Sequence, residues 1–128
     1  KGSRVDNPET IATAIRIGNP QSWDQALKLS KESNGWFDAF SDKEILATQK
    51  MLTEKEGVFC EPASATSVAG ALRDIKLGKI PEGSSVVCTL TGHGLKDPDT
   101  AIAQCDQNAM INVNPTLEEV KKAILDHM

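Results

Sequence analysis

No Cys-x-x-Cys pair occurs in this sequence, and His93 and His127 have no ligand-type neighbours at zinc spacing, so a metal site is not expected. A disulfide framework is equally out of place. The three cysteines, Cys60, Cys88 and Cys105, are odd in number and widely separated, and they read as free thiols in a reducing compartment. No apolar run is long enough for a signal peptide or a membrane span, which makes a cytoplasmic location the default expectation. Surplus positive charge is missing too. With 18 acidic against 14 basic residues the net charge is -4 and the pI about 5.1, a balance that repels phosphate backbones and anionic surfaces and argues against nucleic-acid or membrane partners. There is no internal repeat and no low-complexity tract.

What is present suffices for one core: 128 residues, 39% of them hydrophobic. The polar opening Lys1-Gly2-Ser3-Arg4, without a methionine, suggests a chain cut from something longer. Pro8 to Ile17 begins with a proline suited to a first turn and keeps apolar residues at Ile11, Ala14 and Ile15, which predicts a short helix ended near Gly18. Ser22 caps a second helix from Trp23 to about Ser33, stopped by Asn34-Gly35. Trp36 to Phe40 fits a strand. Ser41-Asp42-Lys43-Glu44 is a capping box that opens a helix from Asp42 to about Glu56, with Gly57 placed to end it.

After a brief extended segment at Val58 to Cys60, Pro62 starts a helix rich in small residues that runs toward Gly78 and is suited to close packing. Ser85 to Leu90 is apolar on both alternations, as a strand covered on both faces would be, and it delivers the glycine loop Thr91-Gly92-His93-Gly94. A weakly periodic stretch at Thr100 to Cys105, a strand near Met110 to Val113 and a helix from Leu117 to Asp126, capped by Thr116 and Glu119, complete the chain. Alternating helices and strands make the expected class α/β, with the Ser85 to Leu90 strand central and flanked by the Asp42 and Pro62 helices.

A glycine loop at the end of a buried strand is the usual ligand position in an open α/β sheet. Thr91 offers a hydroxyl that donates and accepts, and Gly92 lets a ligand approach the backbone, although a plain turn accounts for the glycines about as well. Glu61 and Ser64 sit in the first turn of the small-residue helix, where free amides can face an anion, and a favourable first-turn acid is the simpler reading there. Arg16, inside an apolar run, calls for an anionic partner, most simply a neighbouring Asp or Glu. His93 reads as a half-exposed loop residue more readily than as an acid-base group.

Three blocks, TIATAIRIGNP at Thr10 to Pro20, EGVFCEPASATSVAG at Glu56 to Gly70 and VVCTLTGHGLKDP at Val86 to Pro98, resemble in order and spacing the C-terminal half of the threonine synthase family. The resemblance extends over roughly Asn7 to Ala103. It implies a pyridoxal-phosphate enzyme of the tryptophan-synthase-β-like class, with a three-layer open-sheet fold, that converts O-phosphohomoserine and water to threonine and phosphate. Residues 1–128 would then be one partial domain, the C-terminal segment of the larger cofactor-binding domain of a longer enzyme, with the rest of the same polypeptide and a second copy in a homodimer as its partners.

By this comparison the Thr91 hydroxyl bonds the pyridine nitrogen of pyridoxal 5'-phosphate, beside Gly92. Ala14 and Ile15 lie against a face of the ring and Glu61 stands near its edge; Arg16, from its charge and bidentate geometry and not from the comparison, is a candidate partner for the phosphate or carboxylate of the substrate. No catalytic residue is assigned to this chain. The Schiff-base lysine, the asparagine after it and the phosphate-binding glycine loop belong to earlier parts of such enzymes, so the chain alone is expected to be inactive. Two other readings remain open: a related pyridoxal-phosphate enzyme of β-elimination or β-replacement, and a non-catalytic module that binds a small anion.

Overall fold

Two adjacent helices, joined by a glycine turn, organise the chain. The first, α2 (Asp42–Glu56), follows α1 (Trp23–Glu32) and starts on the expected capping box: the Ser41 hydroxyl accepts from the Glu44 amide, and Glu44 returns to the Ser41 amide at 2.7 Å. It stops at Gly57, whose φ of 67° is left-handed. The second, α3 (Pro62–Lys76), uses proline in its first turn, where no helical hydrogen bond is lost. The computed structural model describes residues 3–105 and 111–127.

These residues divide into two units, Lys1–Pro98 and Asp99–Met128. In the first, α2 packs on α3, and two small apolar clusters form. Ala12, Ile45 and Ala63 meet with Phe40 beside them; Leu52, Cys60 and Ala65 meet with Met51, Val68 and Leu90. Ile45, Gln49 and Leu52 are the buried positions of α2, spaced four and three apart, so one polar side chain occupies the core stripe. In the second unit α4 (Pro98–Gln104) reaches back to Pro98, and α5 (Leu117–Leu125) is capped by Thr116, which accepts from the Glu119 amide. Glu119 does not complete the expected box: its carboxylate bonds the amide and side chain of Asn114 instead, which holds its pKa below the ordinary glutamate value.

Several expectations are corrected. Pro8 to Ile17 is no helix; only Thr13–Ile15 makes a single 3-10 turn. Side chains take the backbone donors there: the Asp42 carboxylate accepts from the Ile11 amide at 3.1 Å and from the Thr10 hydroxyl at 2.6 Å, and the Thr10 hydroxyl accepts from the Ala12 amide at 3.2 Å. Thr100 to Cys105, weakly periodic in sequence, lies largely within α4.

The larger correction concerns the sheet. Among the described residues there is no strand, only an isolated antiparallel bridge between Cys60 and His93. Trp36 to Phe40 and Ser85 to Leu90 have no regular structure, and so do residues 111–113; Met110 of that expected strand lies outside the described residues. The Ser85 to Leu90 segment is not buried, since Val87 is 92% exposed. A strand requires a neighbour to take its amides and carbonyls. No second strand pairs with this segment among the described residues; its backbone is held by α3, where Ser67 Oγ donates to the Thr89 carbonyl at 3.3 Å. The structure is therefore mostly helical.

Candidate functional site

The first turn of α3 and the glycine loop are locked together by backbone. Gly94 donates its amide to the Phe59 carbonyl and Glu61 donates to the Gly92 carbonyl, both at 3.0 Å, which forms the bridge around Cys60 and His93. In this pattern the carbonyl of Cys60 faces away from the loop. There Gln49 of α2, 2% exposed, donates its amide to that carbonyl at 2.8 Å. Both edges of the Phe59 to Glu61 segment are thus held.

The loop approaches so closely that glycine is required at two positions. A Cβ on Gly92 would overlap the Glu61 carboxyl group, and one on Gly94 would overlap the Phe59 ring. Glu61, 8% exposed, caps α3 with its backbone, and its carboxylate makes no hydrogen bond or ion pair among the described residues. Ser64, 3% exposed, is the central polar group. Its Oγ accepts from the Gly92 amide at 2.8 Å and lies 3.0 Å from the Thr91 Oγ1. Thr91 itself is exposed, with its hydroxyl anchored from one side.

His93 accepts from the Leu95 amide through Nδ1 at 3.1 Å and meets the Phe59 ring edge-on. It caps a short 3-10 turn, which matches the loop role expected of it. Burial, and after it the adjacent Glu61 carboxylate, push the Cys60 thiol above its ordinary pKa, so this cysteine is held protonated and unreactive.

Of the residues singled out in the sequence, Glu61, Thr91 and Gly92 come together here. Ala14, Ile15 and Arg16 belong to the separate Thr13–Ile15 turn and its cap. That turn packs on α3 and is tied to the same loop region, with Thr13 Oγ1 donating to Asp97 at 3.2 Å. Ile15 also lines a groove of about 730 Å³, together with Phe40, Gly70, Ala71, Val86 and Val87. The groove does not include Glu61, Ser64 or Thr91. Arg16 is exposed and forms no ion pair among the described residues, contrary to the simplest expectation for it. Asp42, Gln49 and Asp97, which hold these pieces in place, gave no sequence signal, because each acts on a partner far along the chain or on a backbone carbonyl.

The arrangement presents a donor-acceptor hydroxyl and a buried carboxylate around a backbone that tolerates no side chain. A family model described as pyridoxal-phosphate dependent enzyme matches residues 1–92. Threonine synthase of Halalkalibacterium halodurans is 52% identical over 124 residues, 97% of this chain and 34% of that relative. Threonine synthase of Synechocystis is 51% identical over 124 residues, again 97% of the chain and 32% of the relative. A more distant organism, Methanocaldococcus jannaschii, has a threonine synthase 49% identical over 112 residues, covering 81% of the chain and 28% of the relative. The chain spans about a third of the length of the first two curated relatives.

Proposed function

The chain belongs to the family of pyridoxal-phosphate dependent enzymes, and from that premise we propose that it is the C-terminal part of a threonine synthase acting on O-phosphohomoserine and water. The observation that carries the reading is the hydroxyl of Thr91 held beside Gly92 and Glu61 at the start of α3. Such a corner fits a pyridine ring. The hydroxyl meets a ring nitrogen without forcing it to stay protonated, as a carboxylate would, and the missing Cβ at Gly92 leaves room for the close packing already used by Glu61.

When bound, the cofactor supplies an electron sink. Thr91 holds a proton at Oγ1 and presents it to the ring nitrogen, Gly92 keeps the backbone close, and Glu61 stands at the ring edge. Ala14 and Ile15, on the neighbouring turn, would cover a face of the ring. Arg16, exposed and without an ion pair among the described residues, would meet the substrate phosphate or carboxylate with its planar guanidinium. The Schiff-base lysine lies in the remainder of the polypeptide, which also completes the sheet: Trp36 to Phe40 and Ser85 to Leu90 become strands of a three-layer open sheet, and the Phe40–Val87 groove is filled. Residues 1–128 form the C-terminal segment of the larger cofactor-binding domain, in a cytoplasmic homodimer.

The test is phosphate release from O-phosphohomoserine. The longer polypeptide containing this sequence, supplied with pyridoxal phosphate, is expected to release phosphate and form threonine, while the isolated chain stays at the buffer rate. A cofactor-loaded longer polypeptide that releases none contradicts the reading.

A further inference from the structure

We propose that Ser64 is a positioning residue that sets the direction of the Thr91 hydroxyl. The inference rests on the reading that Thr91 faces the cofactor ring nitrogen. A serine hydroxyl has one proton to give and room for two to accept. At Ser64 one acceptor position is taken by the Gly92 amide at 2.8 Å. Its proton has two destinations, Thr91 Oγ1 at 3.0 Å and the Gly92 carbonyl at 3.5 Å. Good hydroxyl-to-oxygen bonds lie at about 2.5–3.0 Å, and that carbonyl already accepts the Glu61 amide at 3.0 Å. The Ser64 proton therefore goes to Thr91.

Thr91 accepts there, and its own proton is left for an acceptor beyond the exposed lip of the loop. A one-way chain results, from the Gly92 N–H through Ser64 to Thr91 and outward. Ser64 is well suited to hold it: it is 3% exposed and lies in the first turn of α3 directly after Pro62 and Ala63, both buried. Without Ser64 the Thr91 hydroxyl can rotate inward and give its proton to a backbone carbonyl instead. Ser64 touches neither cofactor nor substrate in this scheme: it directs the Thr91 hydroxyl and holds the Gly92 amide.

The experiment is a double-mutant cycle in the longer enzyme, with Ser64→Ala, Thr91→Val and the pair, read as cofactor affinity from titration of cofactor absorbance and as the kcat-against-KM split. Ser64→Ala is expected to weaken cofactor binding about three- to tenfold, and Thr91→Val more. In the double variant Ser64→Ala is expected to add clearly less than it costs alone, because the hydroxyl it directs is gone. Multiplicative losses in the double variant would make Ser64 an independent structural residue and overturn the proposal. A Thr91→Val enzyme that binds cofactor like the wild type would overturn the site reading beneath it. Should Ser64→Ala fail to fold, Ser64→Cys, similar in volume and a weaker donor, replaces it in the same cycle with the same non-additivity expected.

Discussion

Ile45 and Leu52 in α2 are 2% and 7% exposed, whereas Val87, in the most strand-like run of the chain, is 92% exposed. α2 carries a narrow apolar stripe and Ser85 to Leu90 a nearly continuous apolar run; they differ in where their partners lie. α2 finds α3 within a few residues, across a glycine turn, and its ends are closed locally, by the Ser41–Glu44 box at one end and the Gly57 backbone at the other. Ser85 to Leu90 can be closed only by other strands, and α3 gives it a single covered edge. Apolar content therefore does not by itself say that a segment is buried within a given chain.

The sharpest way to break this contrast is amide hydrogen exchange. The amides of Val86, Val87 and Cys88 are expected to exchange slower by about a hundredfold or more in the longer polypeptide than in the isolated chain, because sheet pairing there requires larger opening to expose them. Equal exchange in both would show that no strand pairs with this segment. Truncation gives the next largest effect. Ile45→Ala is expected to cost about 2–5 kcal/mol in urea denaturation of the isolated chain, and Val87→Ala only about 0.5 kcal/mol or less, the difference between a packed and an exposed position. A comparable loss from the two variants would contradict the contrast.

Gln49→Leu makes the α2 stripe wholly apolar but leaves the Cys60 carbonyl, in a residue 2% exposed, without its donor. The expected loss is about 1–3 kcal/mol in the same measurement, and a neutral result would remove Gln49 as the group that fixes the Phe59 to Glu61 segment.

The smallest effect concerns acid. Burial pushes the Asp74 carboxyl up, but the Trp36 indole at 2.8 Å and the Lys79 ammonium at 3.1 Å outweigh it and hold the group below the ordinary aspartate value. Asp38 is lowered as well, by the Ala39 amide first and by Arg73 next. With folded values depressed, both ionised carboxylates stabilise the fold above the ordinary aspartate range, and that stabilisation is lost as pH falls through the lowered values. Trp36 emission, followed in a Trp23→Phe background, should change below the ordinary aspartate range and lose that transition in Asp74→Asn. A transition that persists in Asp74→Asn would detach Trp36 from this carboxylate.

Caps and turns were legible because their partners sit three or four residues away: Ser41 with Glu44, Gly57 at the end of α2 and Pro62 at the start of α3 all form as expected. The pairing of Glu61 with Gly92 was reachable only through resemblance, since the two lie 31 positions apart and a glycine carries no side-chain signal. Illegible were Asp42, which cancels the Pro8 to Ile17 helix, and Gln49, whose place in an apolar stripe makes sense only once the Cys60 carbonyl is seen. Periodicity also misjudged the strands, because it reports what faces a segment can bury and not which chain supplies the cover.

Thr91 is where these strands of reasoning meet, and cofactor titration of Thr91→Val beside Thr91→Ser in the longer enzyme tests it most directly. A hydroxyl bonded to the ring nitrogen predicts that Thr91→Val weakens cofactor binding about ten- to a hundredfold, the cost of an unpaired buried acceptor, while Thr91→Ser stays near the wild type. If Thr91→Val and Thr91→Ser bind the cofactor equally well and like the wild type, the loop is only a turn and the site reading is wrong.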